Sequence, residues 1–160
     1  MRVVIDTNVL VAGLLSAVGP PGWMVEAVLA GELEPAFDGT IRQEYEEVLR
    51  RPEFGFTPAR IDDVLAALDQ FGFVVAAAAP WPIRLPDADD EPFLAVAEAS
   101  ASVLVTGNLR HFPLKARRDV VVLSPRELMD RLGRKRAPRG APYGSARLLI
   151  PALDLLHALL

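Results

Sequence analysis

Short apolar runs rich in β-branched residues recur along this chain, and a helical pattern stands between most of them. Arg2–Ile5, Glu34–Phe37, residues 73–78, Val103–Val105 and residues 120–123 read as strands. Residues 22–31 read as a helix opened by Pro20-Pro21 and closed by Gly31. In "TIRQEYEEVLRR", Thr40 is a cap and Gln43 completes a capping box, with Ile41, Tyr45, Val48 and Leu49 as the apolar face. A helix after Thr57-Pro58 carries Ile61, Val64, Leu65, Leu68 and Phe71 on one side and ends at Gly72. Residues 93–101 suit a small-residue helix lying close on a sheet, and Ser124-Pro125-Arg126-Glu127 opens a last one with a capping box. Strands alternating with helices predict an α/β fold built on an open parallel sheet covered on both faces.

In such a sheet, ligands gather beyond the carboxyl ends of the strands. The residues that the sequence places there are mostly acids and hydrogen-bonders. Asp6 ends the first run and is followed by Thr7 and Asn8; Thr106 and Asn108 follow the fourth run. Asp87, Asp89 and Asp90 crowd the entry to the helix after the third. Glu44 lies nearer the Ile41/Tyr45/Val48 stripe than Glu46 or Glu47 at 100° per residue, so it is the acid of that helix aimed inward. Taken singly, each has a plain alternative as a turn, a cap or a solvated helix start. Taken together, converging carboxylates raise one another's pKa unless a cation lies between them, and hard divalent ions prefer such oxygen ligands.

Charge adds a constraint. Residues 1–132 hold 12 basic and 20 acidic side chains, a net −8, whereas residues 133–160 hold 5 basic and 1 acidic, a net +4. An acidic body binds a polyanion poorly through its long-range field, and bound Mg²⁺ or Mn²⁺ would bridge the two. The folded body has one basic cluster, Arg110, His111, Lys115, Arg117 and Arg118, suited to phosphate contacts that position RNA without reading it. Cysteine is absent, which excludes disulfides, thiolate metal sites and a thiol nucleophile and agrees with a cytoplasmic setting. An acid inside the first apolar run argues against a secretory signal, and no stretch reaches the roughly 18 apolar residues of a membrane span.

"VVIDTNVLVAGLL", "TIRQEYEEVL", "PDADDEPFLAVAEASASVLVTGNLRHFP" and "VLSPRELM", in this order and spacing, closely resemble the PIN-domain nucleases, nearest to the VapC-like toxins of bacterial toxin–antitoxin pairs. The resemblance spans residues 1–132. It implies a PIN-like, Rossmann-like α/β/α sandwich around a parallel sheet and cleavage of single-stranded RNA dependent on Mg²⁺ or Mn²⁺. It also implies a homodimer and, where the gene is paired, an antitoxin partner. Asp6, Glu44 and Asp90 match the family's first three acids as metal ligands and catalytic residues. Asn108 matches the fourth catalytic and metal-ligand position, where many members carry Asp; its amide oxygen can still touch a metal but contributes no charge. Thr7, Asn8 and Thr106 match ligand-orienting positions, and Asp87 and Asp89 match flanking acids.

Other readings fit less well. A haloacid-dehalogenase-like phosphatase needs a second Asp where Asn8 stands, and a dinucleotide-binding domain needs the Gly-rich turn that "VAGLLSAVG" does not supply. The competing function is a PIN domain that binds RNA or a protein without cutting. After the nuclease-like body, residues 133–147 form a basic Pro/Gly-rich linker and residues 148–160 a short apolar tail. In that tail Leu153, Leu156 and Leu160 offer a patch for a dimer mate or antitoxin.

Overall fold

The computed structural model describes residues 1–133, so the linker and tail lie outside the described residues but for Gly133. Five strands, β1 (Arg2–Ile5), β2 (Glu34–Phe37), β3 (Phe73–Val74), β4 (Val103–Val105) and β5 (Val122–Leu123), form one parallel sheet in the order β3-β2-β1-β4-β5. Six helices accompany them: α1 (Thr7–Leu15), α2 (Pro20–Leu29), α3 (Gly39–Leu49), α4 (Pro58–Phe71), α5 (Glu91–Ala99) and α6 (Pro125–Arg131). The expected α/β architecture is therefore the observed one. From β1 to β3 the chain steps outward in one direction, then returns through α5 to β4 on the other side of β1. Right-handed crossovers in opposite directions put helices on both faces.

Val3, Val4, Ile5, Leu104 and Val105 are inaccessible to solvent, and α5 lies across β1, β2 and β4 with Phe93, Leu94 and Val96 buried beneath it. Burial of strands on both faces explains why they read as continuous apolar runs rather than alternating ones. Two glycines bring α1 and α2 together. A Cβ at Gly13 would stand 2.5 Å from the Pro21 carbonyl oxygen, and one at Gly22 would stand 2.5 Å from the Ala17 backbone.

Several boundaries differ from the sequence expectation. Helix α1 was not evident, because its apolar residues surround it and leave no clear stripe. Helix α3 is capped by Asp38, whose carboxylate accepts from the Ile41 N–H at 2.9 Å; Thr40 is inside the helix and Gln43 donates instead to Glu47. The strand expected over 73–78 is only Phe73–Val74, since β2, its single neighbour, offers it two paired positions. Gly72 does end α4, but in extended backbone; its requirement is space, because a Cβ there would lie 2.4 Å from the Phe37 ring. The capping box of Ser124 and Glu127 is present. The proline-rich segment before α5 is anchored by buried Trp81, whose indole N–H donates to the Ala116 carbonyl, and by buried Leu85. No single helix among the described residues is long and apolar enough to cross a membrane.

Candidate active site

Strands β1 and β4 are neighbours, yet the chain leaves β1 in one direction and enters β4 from the other. The cleft beyond their carboxyl ends is the topological switch point of the sheet. Asp6 and Thr106 occupy it, each one residue past its strand. The Thr106 hydroxyl, fully buried, donates to Asp6 Oδ2 at 2.6 Å and itself accepts from the Asn108 N–H at 2.9 Å. Asn8 completes the support: its side-chain amide donates to Asp6 Oδ2 at 2.8 Å, and its backbone N–H donates to Oδ1 at 3.1 Å, which caps α1. Asn8 Oδ1 in turn accepts from the Gly107 N–H at 2.9 Å. A Cβ on Gly107 would meet that oxygen at 2.9 Å, so this clasp needs the glycine.

Helix α3 delivers Glu44 to the same cleft. The Thr7 hydroxyl donates to Glu44 Oε1 at 2.5 Å, and the neighbouring Tyr45 hydroxyl, wholly buried, donates to the carbonyl of Ile5, the residue before Asp6. The third acid arrives from a short 3-10 turn, residues Ala88–Asp90, whose first residue is preceded by Asp87 accepting from the Asp89 N–H. Asp90 Oδ2 lies 2.8 Å from His111 Nδ1. Asp87, Asp90 and His111 bring ligand atoms within 4.8 Å of one another.

Asp6, Thr7, Asn8, Glu44, Asp87, Asp89 and Asp90 thus line one open groove of about 690 Å³. Thr106 is the buried prop behind it. Asn108 adjoins the site through its backbone N–H, and its side chain is not part of the groove lining. Burial pushes the Asp6 carboxyl above its ordinary value against the pull of Thr106 and Asn8. Glu44 and Asp90 are raised too, first by burial and then by the negative charge of Asp6, with Asp90 adding to the effect on Glu44.

The donor set fits a hard divalent cation. It consists of carboxylate oxygens that repel one another when ionised, with an imidazole alongside. Asp87, Asp90 and His111 come close enough together to hold it, and Asp6 and Glu44 line the same groove.

The basic loop is placed unevenly. His111 turns into the site, Arg118 pairs with Glu98 at 3.0 Å and stacks over Trp81, and Arg117 donates to the Phe112 carbonyl. Arg110 and Lys115 are exposed. Sequence reasoning missed three features: the Tyr45 anchor, the His111–Asp90 contact, and the far wall of the groove, where Val11, Leu15, Val48, Arg51 and Phe54 stand. Tyr45 was legible as core but not as a polar anchor. The other two depend on tertiary contacts between distant segments.

A parallel sheet whose switch point gathers acids around a buried Asp defines an α/β protein with a nuclease-type site. The chain belongs to the PIN domain family, whose model matches residues 2–110. No curated protein and no solved structure matches it significantly.

Proposed function

We propose that this chain is a Mg²⁺- or Mn²⁺-dependent endoribonuclease that hydrolyses phosphodiester bonds of single-stranded RNA, as the toxin of a VapC-like toxin–antitoxin pair. One observation carries the reading: three carboxylates from segments 38 and 46 residues apart share one groove, each held above its ordinary pKa although His111 stands beside Asp90. Such an arrangement costs stability and is retained where a cation offsets it. A divalent ion there lowers the pKa of a bound water and stabilises charge developing on the phosphate. The chain's own residues do the positioning. Thr106 and Asn8 fix the orientation of Asp6, Thr7 fixes that of Glu44, and His111 holds one oxygen of Asp90, leaving the other free.

Arg110 and Lys115 supply phosphate contacts next to the site. Asn108 stands beside the site without a charge, and its side chain lies outside the groove lining, so an aspartate at this position would add a fourth carboxylate next to the acids. Tighter Mn²⁺ binding by Asn108→Asp than by the unmodified chain is the expected result, and equal affinities would overturn this part of the reading. The main test is incubation with single-stranded RNA with and without Mn²⁺, beside Asp6→Ala. Metal-dependent cleavage that disappears in Asp6→Ala is expected. RNA binding without any such cleavage would leave the non-cutting PIN domain as the correct description. For the toxin role, growth arrest on expression, absent for Asp6→Ala, is the expected outcome.

A further inference from the structure

The groove extends beyond the acids, and its far end differs in chemistry. Where α3 ends, Arg51 leads into a short 3-10 turn, Pro52–Phe54, closed by Gly55 in the left-handed conformation at φ 64°. Proline fixes φ at the start of this turn, and glycine at its end accepts the left-handed backbone without strain. Phe54 and Phe56 stack with ring centroids 5.6 Å apart and planes inclined by 19°. Phe56 packs on the core, so Phe54 is backed on one side while it lines the groove with Leu15, Val11 and Val48.

Arg51 is distinguished by what it does not do. Its neighbours on α3 and α4 are neutralised: Arg42 holds Asp69 with two bonds and Glu46 with a third, Arg50 holds Glu46 and Asp62, and Arg60 holds Glu26. Glu47, one helical turn before Arg51 and in the same groove, is engaged by Gln43. Among the described residues Arg51 forms no ion pair, although it stands in a groove lined by six acids. An exposed cation without a carboxylate partner, next to a backed aromatic ring, is what a nucleotide requires: a guanidinium for the phosphate and a flat apolar face for the base.

The geometry points to Arg51 and Phe54 as a nucleotide subsite of the cleavage groove. It takes a base of the single strand on the Phe54 ring and an adjacent phosphate on Arg51, in the same groove as the acids. The subsite rests on the nuclease reading and deepens it, by extending the path of the strand across the groove to residues 52–54, in addition to the phosphate contacts of Arg110 and Lys115. Stacking accepts every base, so the subsite positions the strand without selecting its sequence.

The test is the dissociation constant of a fluorescein-labelled oligouridylate, measured by fluorescence polarisation across a range of salt. It uses the full chain in an Asp6→Asn background, which keeps the probe intact. Phe54→Leu preserves apolar bulk but removes the ring, and about a tenfold weaker binding is expected. Phe54→Trp restores it. Arg51→Ala weakens binding and flattens the log–log salt slope by about 0.7, the value of one phosphate contact on a single strand. Arg51→Lys recovers the slope. Unchanged affinity in Phe54→Leu, an unchanged slope in Arg51→Ala, or no affinity of the parent protein for the probe would each overturn the subsite. Cleavage is read separately on the unmodified chain with Mn²⁺, so a protein that binds through Arg51 and Phe54 but does not cut would fail the nuclease reading alone.

Discussion

Tyr45 shows how one side chain ties packing to chemistry. Its ring is buried core, while its hydroxyl reaches the Ile5 carbonyl and so fixes the end of β1 against α3. Asp6 follows Ile5 and Glu44 precedes Tyr45, so this single bond sets the spacing of two acids. Tyr45→Phe should keep the fold, lose about 1 to 3 kcal/mol in urea denaturation because a buried carbonyl loses its partner, and lower kcat for RNA cleavage. Full activity at reduced stability would show that the bond serves packing only. The acids themselves give a pH signature. With folded pKa values raised above those of the unfolded chain, the native state holds more protons, so stability falls as pH rises through and above the ordinary carboxyl range. Below that range all three are neutral in both states and the penalty vanishes. Glu44→Gln, which keeps an oxygen for Thr7, should therefore melt higher than the unmodified chain at pH 7 without metal and show little difference near pH 4. Added Mn²⁺ should raise the melting temperature of the unmodified chain more than that of Glu44→Gln.

At the scale of elements, what the sequence reveals depends on whether an element's identity is local. Helix α4 was legible because its apolar residues fall on one stripe, and α6 because Ser124 and Glu127 cap each other within four residues. Helix α1 is hidden in the sequence because apolar residues such as Ala12 and Leu15 occupy its exposed face as well as its buried one, and the start of α3 is ambiguous because Asp38 and Thr40 are both good caps two residues apart. The inward aim of Glu44 followed from helical geometry. The pairing of His111 with Asp90 and the Phe54 wall did not, since they join segments that only the sheet brings together. The crossing of α1 and α2 makes a prediction at this scale. Gly13→Ala would gain about 1 kcal/mol of helix propensity, but the new methyl meets a backbone oxygen that cannot rotate away. A net loss of about 1 to 3 kcal/mol is expected by thermal or urea unfolding. Because α1 begins at the residue after Asp6, the displaced helix should also weaken Mn²⁺ binding; unaltered stability would mean that the crossing has slack.

For the molecule as a whole, the question is how a body of net −8 holds a polyanion. On the proposed reading the groove answers locally, with a cation held among the acids and Arg51 beyond them, while the rest of the field opposes the approach of RNA. The sequence carries a compensating charge elsewhere: Arg134, Lys135, Arg136 and Arg139 stand within six residues of one another, after α6. If they meet RNA phosphates, their effect is long-ranged and screened, unlike stacking on Phe54. Replacing all four by glutamine in the full chain should then lower the affinity for single-stranded RNA and flatten the salt slope by about 0.7 for every phosphate contact removed. Ring stacking is insensitive to salt, so Phe54→Leu should weaken binding by a similar factor at every salt concentration. A four-glutamine variant with unaltered affinity and slope would assign RNA retention to the metal, Arg51, Phe54, Arg110 and Lys115, and would leave those four charges to some other partner.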